Sequence, residues 1–180
     1  MFPKLLQLFV CFFLFCALVL MNYPNLHADT KLVKDINPGG NSVVGGLTNV
    51  NGTLFFTALD GIHGHELWKT DGTASGTTMV KDINPSGSSS PNFLTEFRGL
   101  LYFSAYDGIH GTELWRSNGT PAGTVMVQDL NPGEWSSSPG HLVVMNGTLF
   151  FTCDDGTHGK ELWRHRPSGS AATNLLFLSD

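Results

Sequence analysis

The chain is 180 residues long with a formal net charge of −5. Lys and Arg form no basic patch, which argues against a nucleic-acid partner. Glycine is abundant at 21 residues, and Thr, Val, Phe and Trp recur, a mix that suits short strands and tight turns rather than helices.

Residues 1–28 are of another kind. Lys4 precedes an apolar run from Leu5 to Met21 in which Gln7 is the one polar residue. Asn22, Tyr23, Pro24 and Asn25 follow, then Leu26, His27 and Ala28. A short positive region, an apolar core and a small residue before the mature start predict a secretory signal peptide. The run is also long enough to cross a bilayer core, so an uncleaved N-terminal membrane anchor is the alternative. Cys16 would suit a lipoprotein, but bulky Phe15 before it argues against that. The repeat domain, 29–180, keeps Cys153 as its one cysteine, so its own core must hold it together without an internal disulfide.

After the leader, Thr30–Ile36 runs into Asn37-Pro38-Gly39. The phrase returns as Thr78–Ile83 with Asn84-Pro85, and as Val125–Leu130 with Asn131-Pro132. Each copy predicts a strand stopped by Asn-Pro, which removes a ladder donor and starts a turn. Loops rich in Gly and Ser follow at 39–46, 86–91 and 133–140. Next come hairpins: Leu47–Val50 and Thr53–Ala58 around Asn51-Gly52, Phe93–Phe97 and Leu100–Ala105 around Arg98-Gly99, and His141–Met145 and Thr148–Cys153 around Asn146-Gly147. Asn-Gly between apolar runs favours a two-residue turn, because both residues need positive φ. Asn51, Asn118 and Asn146 also fit a glycosylation sequon, but the turn explains each of them.

A loop of the form Asp-Gly-x-His-Gly then leads into Glu-Leu-Trp. It occurs as Asp60–Trp68, Asp107–Trp115 and Asp155–Trp163, the tryptophans lying 47 and 48 residues apart. Asp71-Gly72-Thr73 and Asn118-Gly119-Thr120 turn the chain toward the next strand. The expected architecture is all-β: a propeller-like array of three four-stranded antiparallel blades, with repeats at about 35–81, 82–128 and 129–180. Phe55 and Phe56, like Leu67 and Trp68, point to opposite faces, so each sheet must be covered on both sides. Propellers close with about four to eight blades. Here a surplus strand is expected at Lys31–Ile36 and another at Thr173–Leu178, and after Trp163 the turn gives way to Arg164-His165-Arg166-Pro167. The array therefore reads as open or truncated, with self-association to complete a ring as an alternative.

The phrase Glu66–Thr73 (Glu-Leu-Trp-Lys-Thr-Asp-Gly-Thr), with Val-Lys-Asp-Ile-x-Pro following, resembles the ELWxxDGT repeat family of bacterial secreted or surface proteins. The second copy carries Asn118 for the Asp, and the third keeps Glu161-Leu162-Trp163. The resemblance covers nearly all of 29–180. It implies a bacterial, exported, propeller-like protein and carries over no functional residues.

Three side chains recur in each copy as candidate metal ligands: Asp60, His63 and Glu66; Asp107, His110 and Glu113; Asp155, His158 and Glu161. A Gly-rich loop with oxygen ligands could hold Ca²⁺. The preferred reading is structural: Asp closes the turn on backbone N–H groups, Gly64 and its equivalents supply positive φ, and His braces the loop through Glu or a carbonyl. Threefold repetition also speaks against a catalytic site. Trp68, Trp115 and Trp163 read as core. Trp135 lies in a Gly/Ser loop with no aromatic counterpart and is the one candidate ligand contact. Cys153 stands where Ala58 and Ala105 stand and reads as a small core residue. No nucleophile, phosphate loop or paired catalytic carboxylates appear. The expected function is that of an exported non-enzymatic scaffold for surface interaction or adhesion, meeting a glycan, a protein or itself. A carbohydrate-binding module or glycan-active propeller remnant and a Ca²⁺-stabilised surface protein are the alternatives.

Overall fold

The computed structural model describes residues 29–167. All the strands described lie between Gly45 and His165. Among the described residues there is no helix, and eleven strands form three antiparallel sheets. Sheet 1 contains β1 (Gly45–Val50), β2 (Thr53–Leu59), β3 (His65–Thr70) and β4 (Thr78–Lys81), ordered as in the chain. Sheet 2 repeats this with β5 (Asn92–Phe97), β6 (Leu100–Tyr106), β7 (Thr112–Ser117) and β8 (Val125–Gln128). Sheet 3 has β9 (Gly140–Met145), β10 (Thr148–Asp154) and β11 (Lys160–His165).

Local chemistry sets the hairpins. Asn51 and Gly52 take φ of 50° and 85°, Arg98 and Gly99 54° and 77°, and Asn146 and Gly147 49° and 69°. Positive φ at both positions matches the strand twist. Arg98 is unusual there; Glu96 Oε1 braces the turn by accepting from Gly99 N at 2.8 Å. Each opening strand also carries an irregularity near its start, where Gly46, Phe93 and His141 sit at φ of 63°, 55° and 53°. That extra bend explains why the observed strands begin up to two residues ahead of the apolar run.

Register then fixes the faces. Phe56 lies opposite Trp68, Phe103 opposite Trp115 and Phe151 opposite Trp163. Between sheets 1 and 2, Phe55, Leu67, Val80 and Ile83 pack against Phe103, Ala105 and Trp115. Between sheets 2 and 3, Tyr102 and Leu114 pack with Leu149, Phe151 and Cys153, and Trp163 packs against them. Burying a leucine as fully as Leu67 or Leu114 stabilises by about 1.5–3 kcal/mol. Their counterpart Leu162 is 72% exposed.

Two expectations change. Lys31–Ile36 is not a strand. Its counterparts β4 and β8 are strands because they pair with β3 and β7, and no such strand precedes Lys31–Ile36 among the described residues. Sheet 3 has three strands where four were expected. The fourth, expected at Thr173–Leu178, lies outside the described residues, as does the expected signal peptide at 1–28.

Candidate functional site: the loops and the junctions between sheets

In the loop after β2, Asp60 Oδ1 accepts from Ile62 N at 2.9 Å and from His63 N at 2.8 Å. Its other oxygen meets His63 Nδ1 at 2.6 Å. Asp107 with His110 and Asp155 with His158 repeat the same bonds, their ring contacts being 2.7 and 2.8 Å. Gly61, at φ of 84°, makes the reversal that brings the imidazole back over the carboxylate, and Gly64, at 80°, leads the chain out toward β3. His therefore braces the loop through its own Asp, not through Glu or a carbonyl. Partial burial pushes the Asp60 carboxyl up, but the His63 ring and the two N–H donors outweigh it and bring the group down to about 2. At Asp155 the His158 N–H and ring do the same, again to about 2. The carboxylate contact in turn raises His63, His110 and His158 above their ordinary 6.5.

Glu66 does a different job. It is completely buried, and its carboxylate takes Ile83 N at 3.1 Å, Ser89 N at 2.8 Å and Ser89 Oγ at 2.5 Å. These donors lie in the linker from β4 to β5. Ser90 N in turn donates to His65 O at 3.0 Å, and Tyr106 N to Ser89 O at 2.9 Å. The linker is thus held by β3 on one side and β6 on the other. The second junction is built identically: Glu113, also fully buried, takes Leu130 N at 3.1 Å, Ser137 N at 2.7 Å and the Ser137 hydroxyl. Burial raises both carboxyls above the ordinary 4.5, against the pull of the serine and backbone donors.

Gly64 and Gly111 are required by the same contact. A Cβ on Gly64 would stand 2.8 Å from the Gly87 carbonyl oxygen, and one on Gly111 2.3 Å from that of Trp135. Lys81 completes the junction: its Nζ lies 5.7 Å from the Trp115 ring centre and donates to Thr124 O at 3.0 Å.

The nine recurrent candidates thus separate into Asp–His pairs and linker-holding glutamates. Among the described residues no group of three or more His, Cys, Asp or Glu side chains lies close enough to share one ion. Glu161 is the exception to the pattern. It is exposed and joins His158, Leu162, Trp163 and Arg164 around an open cleft of about 540 Å³. Trp68 and Trp115 are buried in the cores. The Trp135 side chain is 73% exposed although its carbonyl is pressed against Gly111. Cys153 is buried, and burial pushes its thiol up to about 12, a poor nucleophile.

Sequence reasoning missed Ser89 and Ser137. Their signal was a serine recurring 23 and 24 residues after the Glu, hidden inside Ser-rich loops.

The geometry defines a class: an all-β repeat protein in which successive antiparallel sheets are joined by linkers held on a buried glutamate. No family model matches the chain, and neither a curated protein nor a solved structure matches it.

Proposed function

We propose that the chain is an exported, non-enzymatic repeat scaffold of the ELWxxDGT kind, its sheets acting as blades of a propeller-like array that presents loops to a partner at a cell surface. One observation carries the reading. In the first two copies the recurrent Asp, His and Glu are engaged in closing a loop or holding a linker. The motif serves architecture, and its loops are left to vary and to bind. The apolar leader and Ala28 support export. The test is to express the full chain, fractionate the cells and sequence the N terminus. A product beginning at Asp29 outside the cytoplasm is expected. Cytoplasmic protein still carrying residues 1–28 overturns export. Small-angle scattering tests the blade arrangement, with a wedge or ring profile expected and a linear string of separated sheets against it.

A second reading, glycan binding, is favoured by Trp135 alone, an exposed indole on a braced linker. A glycan array comparing the native chain with Trp135→Ala tests it: hits lost in the variant support it, and no hits with the native chain remove it.

A further inference from the structure

Resting on the blade reading above, we propose that the chain binds a second copy of itself head to tail, the segment Lys31–Ser42 of one copy docking on β11 and Glu161 of the next. Each chain carries two complementary half-junctions. The segment Val33–Ser42 matches Val80–Ser89, the end of β4 and the linker after it. It makes the linker's contacts with the sheet that follows it: Leu59 N donates to Ser42 O at 2.7 Å, as Tyr106 N does to Ser89 O. Asn37 Nδ2 donates to Asn41 O as Asn84 Nδ2 does to Ser88 O. Lys34 Nζ lies 6.0 Å from the Trp68 ring centre and donates to Thr77 O, as Lys81 does at Trp115 and Thr124. Ile36 packs on Phe56 and Trp68.

The contacts toward a preceding sheet are missing. Among the described residues the Ile36 N–H, the Ser42 N–H and the Ser42 hydroxyl make no hydrogen bond, whereas their counterparts at Ile83 and Ser89 all bind Glu66.

The other end of the molecule is the converse. Among the described residues Glu161 binds no linker, and Leu162, whose counterparts are buried, is 72% exposed. A Cβ on Gly159 would meet nothing within 4 Å, where those on Gly64 and Gly111 would strike a linker backbone. Among the described residues β11 is an edge strand, while its counterparts β3 and β7 pair with a fourth strand through Leu67–Lys69 and Leu114–Arg116. By the same register Lys31–Lys34 of the second copy would pair with Leu162–Arg164, the addition of a strand to an exposed edge. The contact is heterologous, so it closes into a ring or propagates as a filament. The sheets described in two copies number six, within the range in which propellers close.

The test uses the full chain. Counterparts of Val43 and Lys160 are joined by the Ser90 N to His65 O bond at 3.0 Å, so Val43→Cys and Lys160→Cys chains are mixed and treated with a short thiol crosslinker. Peptide mass spectrometry identifies the link independently of Cys11 and Cys16. A 43–160 link between chains is expected, together with the mass of two chains in sedimentation. Val43→Cys mixed with Ala74→Cys, a pair away from the junction, should give background. Gly159→Asn, a residue that tolerates positive φ, should abolish both the link and the dimer while the melting curve of the dilute monomer stays close to native. Background-level linking with a monomeric mass overturns the proposal. So does a link that forms only after residues 168–180 are removed, because the chain's own tail would then be the occupant. Self-association fails alone if the chain is monomeric and yet Glu113→Ala is far more damaging than Glu161→Ala. If those two variants behave alike, the junction reading fails with it.

Discussion

Replacing Glu113 with Ala tests the junction directly. The buried carboxylate accepts from Ser137 N and the Ser137 hydroxyl inside the junction and from Leu130 N at its half-buried edge. Alanine leaves one enclosed N–H, one half-buried N–H and an enclosed hydroxyl without their acceptor, at about 1–3 kcal/mol for each enclosed group left unsatisfied. Part of this is returned, because burial already disfavours the charged carboxylate, as its raised pKa records. A net loss of about 3 kcal/mol remains, a large share of the ~5–15 kcal/mol that stabilises a typical domain. For a chain of this size that lowers Tm by roughly 6–12 °C. Glu113→Gln keeps one acceptor and should cost about half as much. Glu161→Ala removes an exposed side chain and should fall within about 0.5 kcal/mol of native in a dilute, monomeric sample. Urea unfolding followed by tryptophan fluorescence measures all three. Equal losses at positions 113 and 161 would refute the reasoning, since the same residue type in the same motif would then matter without its linker.

Gly111→Ala meets both positive φ and the Trp135 carbonyl at 2.3 Å, so it should cost more than ~3 kcal/mol, whereas Gly159→Ala meets only the φ penalty of about 1–2 kcal/mol; thermal melts separate them. Val43, a β-branched residue at φ 45° and 55% exposed, is strained, and Val43→Asn should raise stability by about 1 kcal/mol in urea titration. Stability should also depend on pH. The lowered Asp60, Asp107 and Asp155 stabilise above their ordinary 3.8, and this is lost as pH falls through their folded values. The raised Glu66, Glu113 and three loop histidines contribute fully below 4.5 and 6.5 respectively, and lose that contribution as pH rises through their folded values. Tm should therefore peak in mildly acid solution and decline toward pH 8. A decline that persists unchanged in the triple variant His63→Gln, His110→Gln, His158→Gln would rule out the loop pairs as its source.

The hairpins were legible in the sequence because their cause is local: Asn51-Gly52 needs only its own backbone preferences and the apolar runs beside it. The tryptophans were legible because a strand alternates its faces, and Trp68 and Leu67 had to be covered on opposite sides. Glu66 was not. Its partners lie 17 and 23 residues away, and only the return of the linker along the edge of β3 brings them together. The His63 partner was misread for a related reason, since the reach of the ring depends on Gly61 reversing the chain directly after Asp60. Lys31–Ile36 shows the limit most plainly. Its Lys-Leu-Val-Lys start is close to the Thr-Met-Val-Lys of β4, but strand formation belongs to a pair of segments, and the sequence of one does not supply the other.

The sequence span of the junction bonds bears on how such a chain is assembled. The bonds from each buried glutamate to its linker close within 24 residues. No early segment has to wait for a distant one before a sheet is clamped to the linker that follows it. A chain emerging end first, from a ribosome or through a membrane, can therefore secure one sheet before the next has appeared. For the same reason a whole repeat could be inserted or removed without altering the bonds of the others. Length is then a free variable in this design, and what must be settled at each end is how a half-made junction is covered.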